Sequence, residues 1–407
     1  MPTEAGSADA GTAFSEHHGR FRERLREHAT RWGPDSVDLW ERQGHLPREI
    51  FAGLGQAGFF RERWADGRTS GLPHAIVMAE ELALVCSGLS LGATLHTETF
   101  LSTLTWLARG EAQEELVESA LEGDAVGCFA LTEPSGGSDI ANVRTVARRE
   151  EGGWRIQGEK RYISNAKAAT HAIVVARDDD ARAHADLCLF LVDLAHEGVE
   201  LVGTYPTLGV HACDTAHLRL DLRLPAEGLL GAVGGGMIYI HHALQLERIS
   251  ISAQLLAASR ASLGLAVAHA RERRIADHRV LDFQALRHRL ADAQTELWAS
   301  EAFLHRVVIE TVAGRSTARQ AAALKLKCAK TAAQVVDESL QVLGGRGFTA
   351  NYPVERFWRD IRVARIGAGT DELMRELVAS GIDRPDRHYE AWRERLDEAD
   401  LAIPWSD

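Results

Sequence analysis

The stretch Cys128-Phe129-Ala130-Leu131-Thr132-Glu133-Pro134-Ser135-Gly136-Gly137-Ser138-Asp139 begins as a short apolar strand. It then breaks into hydroxyls, carboxylates, one proline and two adjacent glycines. A strand edge ending in such a loop leaves backbone N–H groups pointing outward, a receptor for an anion or a heteroaromatic ring edge. Alone, Gly-Gly-Ser-Asp reads as an ordinary turn. A second stretch, Lys160-Arg161-Tyr162-Ile163-Ser164-Asn165, lies one hairpin away and brings an aromatic ring and another hydroxyl to the same strand edges.

A flavin needs donors along its polar edge, an aromatic neighbour and an anchor for its pyrophosphate. Thr132 and Ser164 can supply hydroxyls, Leu131 a backbone N–H, Tyr162 the stacked ring and Ser138 a phosphate contact. Singly, each is more often structural; as two spaced motifs they are hard to explain by structure alone. A third feature is Glu247-Arg248. At helical spacing Ile240, Leu244, Glu247/Arg248, Ile251 and Leu255 form one stripe. A charged pair interrupting an apolar stripe is costly unless it is satisfied or used. Glu247 is thus either a helix-surface carboxylate with an ion partner or a working base.

These residues sit in a helical–β–helical layout. From about Ser15 to Glu122 the periodicity is helical, with an amphipathic start at Phe21–Arg26, a helix closed by glycine over Pro47–Gly55, a mostly apolar helix over Ile76–Leu91, and another over Ala112–Leu121. Near Gly127 the period changes. Short β-rich runs at Phe129–Thr132, Val143–Arg148, Trp154–Gly158, Ala172–Ala176, Leu187–Val192 and Leu218–Leu222 are separated by turn residues, with Glu151-Gly152-Gly153 as a hairpin turn. They predict a compact β-sandwich or barrel-like unit. Beyond a glycine-rich linker at Gly231–Gly236, Met237–Arg274, Asp282–Val312 and Thr317–Leu343 predict long helices in a bundle. The expected class is α+β: an N-terminal helical domain (15–125), a middle β domain (126–230), a C-terminal helical bundle (231–380) and a charged, tryptophan-containing tail (381–407).

Composition bounds the rest. The 407 residues suit two or three packed units, and 45% hydrophobic with 26% charged residues describes a globular chain. No run of 18 uninterrupted apolar residues occurs, so no membrane span is expected. Met1–Ala13 is small, polar and acidic, and reads as a frayed tail, not a signal peptide. Five scattered cysteines without Cys-x-x-Cys spacing read as reduced thiols in a cytoplasmic enzyme. The 18 histidines show no His-Glu-x-x-His, and His17-His18 and His241-His242 are adjacent pairs that do not share a helix face, so no metal is expected. A net charge of −12 argues against a nucleic-acid partner.

Cys128–Asp139 with Lys160–Asn165 closely resembles the flavin-binding signature of the acyl-CoA dehydrogenase family. Further stretches resemble family blocks in the right order: Leu208–Ala216, Leu246–Arg248, Phe283-Gln284, Gln341–Phe348, Tyr352–Arg356 and Gly369–Glu372. The resemblance covers roughly Phe21 to Ser380 and implies the same three-part architecture. It implies FAD held by Phe129, Leu131, Thr132, Ser138, Tyr162, Ser164, Thr370 and Glu372. Arg273, Gln284, Gln341, Gly344 and Gly345 match positions that reach a neighbouring subunit's FAD, so a homo-oligomer is implied, a tetramer or dimer. Ser138, Arg248 and Gly369 are implied at the substrate. The implied reaction takes an acyl thioester, on coenzyme A or an acyl-carrier protein, to the trans-2-enoyl thioester, with an electron-transfer flavoprotein as acceptor.

Many family members place the base just before the Gly-Thr of the last motif, where this chain has Ala368. A subgroup resembling isovaleryl-CoA and long-chain acyl-CoA dehydrogenases carries it on the helix opening the C-terminal bundle. Glu247 stands there, with Glu372 as the weaker rival. There are departures. Where the family has Arg-x-x-Phe-Gly this chain reads Arg273-Arg274-Ile275-Ala276-Asp277. Tyr162 and Ser164 replace a common tryptophan and threonine, and Ala65–Ser70 replaces a Tyr-Gly-Gly turn. Two other readings stay open on sequence: an oxidase or monooxygenase on the same fold, and an inactive structural relative.

Overall fold

The structure is a computed structural model that describes residues 14–65, 67, 69–180, 187–382 and 392–395. Met1–Ala13 and most of the tail after Ile382 lie outside the described residues, as do Asp66 and Arg68 of the reshaped turn.

The first unit is helical: α1 (Glu16–Ala29), α2 (Pro34–Gln43), α3 (Arg48–Gln56), α4 (Phe59–Ala65), α5 (Leu72–Val85), α6 (Ser87–Thr94), a π-helical segment Leu95–Leu101, α7 (Ser102–Leu107) and α8 (Glu111–Leu121). The helix expected over Ile76–Leu91 is broken at Cys86, which is extended at φ −162°, ψ 129°. The break lets the chain run close under the middle unit: a Cβ on Gly88 would stand 2.9 Å from that of Ala212 and 3.0 Å from the Cys213 nitrogen.

The π segment carries local compensation. Hydroxyls of Thr97, Thr99, Ser102 and Thr103 bond carbonyls four residues back. His96 accepts the Gly127 N–H at Nδ1 (3.2 Å) and meets the Ala120 carbonyl at Nε2 (3.0 Å), which makes Nε2 the donor and ties this segment to the first strand. Arg63 grips the Glu98 carboxylate with two bonds (2.9 and 2.6 Å), both side chains fully buried.

The middle unit contains β1 (Gly127–Ala130), β2 (Val146–Glu150), β3 (Gly153–Ser164), β4 (His171–Asp178), β5 (Leu187–Asp193), β6 (Val199–Thr204), β7 (Thr215–Pro225) and β8 (Leu229–Leu230). Hydrogen bonds run in the order β6-β7-β3-β2-β4-β5-β8, with β1 on β4. The strand pairing that joins the two halves is a short parallel contact, Val146↔Arg177 and Ala147↔Asp178. Their apolar faces share one core, where Trp154 of β3 meets Phe190 of β5 edge-to-face at 5.3 Å. This is a sandwich-like arrangement. Strand β6 escapes the sequence pattern because its residues are mostly exposed and lack alternation.

The last unit has α9 (Gly236–Glu272), a hairpin of β9 (Arg274–Ile275) and β10 (His278–Arg279), then α10 (Gln284–Val312), α11 (Ala318–Leu343), α12 (Pro353–Asp360) and α13 (Asp371–Ala379). Helix α9 lies between α5 and α11 and shares their core. By length and composition it could cross a membrane, but 67% of its apolar window is buried inside the fold. A search for an uninterrupted apolar run passes over it because polar residues break the run.

Candidate active site

The two sequence motifs meet through a buried ion pair. Lys160 Nζ contacts Glu133 Oε1 at 2.7 Å and donates to the Leu131 carbonyl at 3.1 Å. Glu133 also accepts the N–H groups of Arg144 (2.6 Å) and Thr145 (2.9 Å), and the Arg161 N–H bonds the Thr132 carbonyl at 2.8 Å. Burial alone would raise the Glu133 pKa, but Lys160 and these donors hold it below its ordinary value. Burial lowers Lys160 to about 8 against the pull of Glu133. Glu133 therefore fixes the loop, a role that its place inside the Thr-Glu-Pro run does not reveal.

Above this lock opens a cleft of about 720 Å³ between the strand edges, α9, the π segment and the loop before α13. Phe129, Leu131, Thr132, Ser138, Tyr162 and Ser164 all line it, as do Glu247, Arg248, Gly369 and Thr370. Leu91, Leu95, Leu244, Ile251 and Leu255 add apolar wall. Three lining residues, Tyr162 (φ 57°), Val210 (φ 52°) and Ala368 (φ 53°), have left-handed backbones. Strain of this kind gathers at sites where position matters more than comfort. At Tyr162 it accompanies a register shift in β3 between Lys160 and Ile163, and the ring stands 59% exposed, 4.9 Å from the Tyr205 ring. Thr370 is the N-cap of α13, accepting from Leu373 N–H, which leaves its hydroxyl proton to donate.

Three carboxylates line the cleft. Glu133 is engaged as described, and Asp360 accepts the Val210 N–H at 2.6 Å. Among the described residues, Glu247 has no hydrogen-bond partner, although it is only 7% exposed. Burial raises its pKa to about 7, opposed by Arg248 and Lys325. Arg248 donates from Nε to the Ala368 carbonyl at 2.9 Å, while its buried Nη1 is unpartnered. Lys325 of α11 donates to the Gly369 carbonyl at 2.5 Å, and burial lowers it to about 8 against Asp371. Gly369 suits this point because its backbone stands at φ 99°, where a side chain is strained; a Cβ there would also press the mobile end of Met374, 2.7 Å away. Ala368 lines the same cleft as Glu247, so both positions face one chamber.

The remaining expected residues lie elsewhere. Glu372 does not line the cleft; its side chain is 79% exposed and pairs with Arg375 at 3.3 Å. Arg273, Gln284, Gln341, Gly344 and Gly345 are all exposed, at the junction of α9, the β9–β10 hairpin, α10 and the turn after α11. His269 there feels both Arg273 and Arg346. Where the family pattern has Phe-Gly, Ala276 takes a left-handed conformation (φ 51°) in the hairpin turn. Sequence reading passes over Lys325. Its signal is a lysine on a largely apolar helix face in a chain with five lysines.

Can these residues hold a flavin? The donor set is a row of hydroxyls (Thr132, Ser138, Ser164, Thr370) along an apolar trough, with an exposed aromatic ring at its mouth. That combination matches a flat heteroaromatic ring with one polar edge, and the fit is good.

Comparison with known proteins supplies the remaining context. Three family models match in sequence order: "Acyl-CoA dehydrogenase, N-terminal domain" over residues 15–124, "middle domain" over 128–222 and "C-terminal domain" over 234–382. The acyl-[acyl-carrier-protein] dehydrogenase MbtN of Mycobacterium sp. (strain MCS) is 33% identical over 372 residues, covering 89% of this chain and 93% of that protein. A solved acyl-CoA dehydrogenase from Geobacillus kaustophilus superposes with a TM-score of 0.87 at 29% identity, covering 91% of this chain and 99% of that one. A glutaryl-CoA dehydrogenase from Mycobacterium smegmatis, solved in complex with FADH2, shares the fold at a TM-score of 0.83 and 24% identity, over 91% of this chain and 95% of that one.

Proposed function

The chain belongs to the acyl-CoA dehydrogenase family, and we propose that it oxidises an acyl thioester to the trans-2-enoyl thioester with FAD as cofactor and Glu247 as base. The observation that carries the assignment of Glu247 is that, of the three carboxylates lining the cleft, it alone has no hydrogen-bond partner. A thioester α-proton is a very weak acid. A carboxylate whose pKa burial has raised to about 7 is a stronger base than one in water, while still ionised above neutrality.

Bound FAD supplies the acceptor for the hydride that leaves Cβ. Phe129, Leu131, Thr132, Ser138, Tyr162, Ser164 and Thr370 would hold it against the strand edges. The Leu91, Leu95, Leu244, Ile251 and Leu255 wall would bed the acyl chain and exclude water, which keeps Glu247 desolvated. Arg248 and Gly369 would border the thioester, Arg248 held in place by the Ala368 carbonyl. The separate patch of Arg273, Gln284, Gln341, Gly344 and Gly345 would serve a second subunit's cofactor, which requires a homo-oligomer. Electrons would then pass to an electron-transfer flavoprotein, the partner that the family resemblance implies. Five buried free thiols support a cytoplasmic setting.

The test is an anaerobic titration of the holoenzyme with straight and branched acyl thioesters, each on coenzyme A and on a carrier protein. Loss of the flavin visible band with appearance of the 2-enoyl product supports the proposal, and the better carrier identifies the natural one. Failure of every thioester to bleach the flavin, or a hydroxylated product in air, would overturn it.

A further inference from the structure

Outside the lining of the cleft, α1, α4 and the start of α5 bring His17, Glu62 and His74 together. One ligand atom from each lies within 4.8 Å of the others. We propose that these three residues form a binding site for one divalent transition-metal ion of the imidazole-preferring class, such as Zn²⁺, joining α1 to α4 and α5. Local spacing in the sequence misses it because the three ligands come from three elements, 45 and 12 positions apart.

Unsatisfied lone pairs support the site. His74 is 2% exposed, yet neither ring nitrogen has a hydrogen-bond partner. The nearby Gly71 carbonyl, which accepts the His74 amide at 3.0 Å, is the least of the influences on the ring and makes no hydrogen bond of normal geometry with it. A buried imidazole whose nitrogens find no hydrogen-bond partner is an anomaly among native side chains, and a metal ion would take the lone pair of one of them while the other keeps its N–H. Burial, followed by the nearby His18, His17 and Arg63, pushes His74 down to about 4, so the ring is neutral and its lone pair available.

Glu62 points the same way. Arg24 binds its Oε1, while its buried Oε2 has no hydrogen-bond partner and lies 4.0 Å from His17 Nε2. A carboxylate and two imidazoles that converge this closely exclude an anion and leave no room for an organic cation. Ligand atoms around a tetrahedral ion with bonds of about 2.0–2.1 Å stand roughly 3.4 Å apart. The further closure falls to His17, whose side chain is 53% exposed and able to turn inward. His74 and Glu62 are the fixed half of the site. The nearby Arg63 charge is compensated by its two bonds to Glu98. The fourth position is left to solvent, as in other three-ligand sites.

The experiment uses the full-length holoprotein, stripped with a chelator and titrated with Zn²⁺ by equilibrium dialysis, with thermal unfolding alongside. The expected result is one equivalent per chain, a raised unfolding temperature and an unchanged flavin spectrum. His17→Ala and Glu62→Gln should each weaken uptake about tenfold or more while folding normally, because both groups are partly exposed. His74→Phe should abolish uptake. If wild type binds no stoichiometric zinc, the site is wrong. Equal uptake by wild type and a His17→Ala/Glu62→Gln double variant would assign the metal to other histidines and equally overturn it.

Discussion

Replacing Glu247 with glutamine should stabilise the fold, and by an amount that grows with pH. The carboxylate is buried at 7% exposure without a hydrogen bond, and its pKa stands at about 7 against 4.5 for the ordinary group. Between those values the unfolded chain releases the Glu247 proton while the folded one retains it. Stability is therefore fully present below pH 4.5 and is lost as pH rises toward 7. At about 1.4 kcal/mol per pH unit, the rise from 4.5 to about 7 costs on the order of 3 kcal/mol once pH exceeds 7, and only about 1 kcal/mol at pH 5. Glutamine keeps the shape and cannot ionise, so it escapes the loss. Urea unfolding of both holoproteins by far-ultraviolet circular dichroism at pH 5, 6, 7 and 8 reads the difference directly. A stability gap that stays constant across the series, or favours wild type at pH 8, would refute the desolvated-carboxylate reasoning.

Lys325→Met removes a cation that pulls the Glu247 pKa down, so the ascending limb of the kcat/KM–pH profile should move upward from about 7. A limb that stays put or moves down would show that Lys325 does not act on the base. Glu98→Gln leaves the fully buried Arg63 guanidinium without its counter-charge and should cost about 3–5 kcal/mol, visible as a large fall in the unfolding midpoint. A fall of only a degree or two would mean that the pair is dispensable.

Much of the layout is legible in one sequence because period and punctuation change sharply at Gly127 and again at the Gly231–Gly236 linker. Long helices such as α9–α11 carry their own pattern over many turns. Strand β6 does not, being mostly exposed with apolar Leu201 and Val202 adjacent and so without alternation, and the bend at Cys86 answers to the approach of Ala212 and Cys213, residues distant in sequence. The cleft follows a similar division. The hydroxyls and Tyr162 are visible as spaced motifs, and Glu247 as a charge on an apolar stripe. Lys325, the Arg63–Glu98 pair and the Asp360 bond to Val210 depend on tertiary proximity, and no local spacing encodes them.

Glu247 as the base is tested most directly by rapid-mixing of the holoenzyme with a saturating acyl thioester under anaerobic conditions, following the flavin band in wild type and Glu247→Gln. The Gln variant should bind the same substrate and lose the bleaching rate by about 10²–10⁴-fold or more. Bleaching by Glu247→Gln at a rate near that of wild type would place the base on another residue.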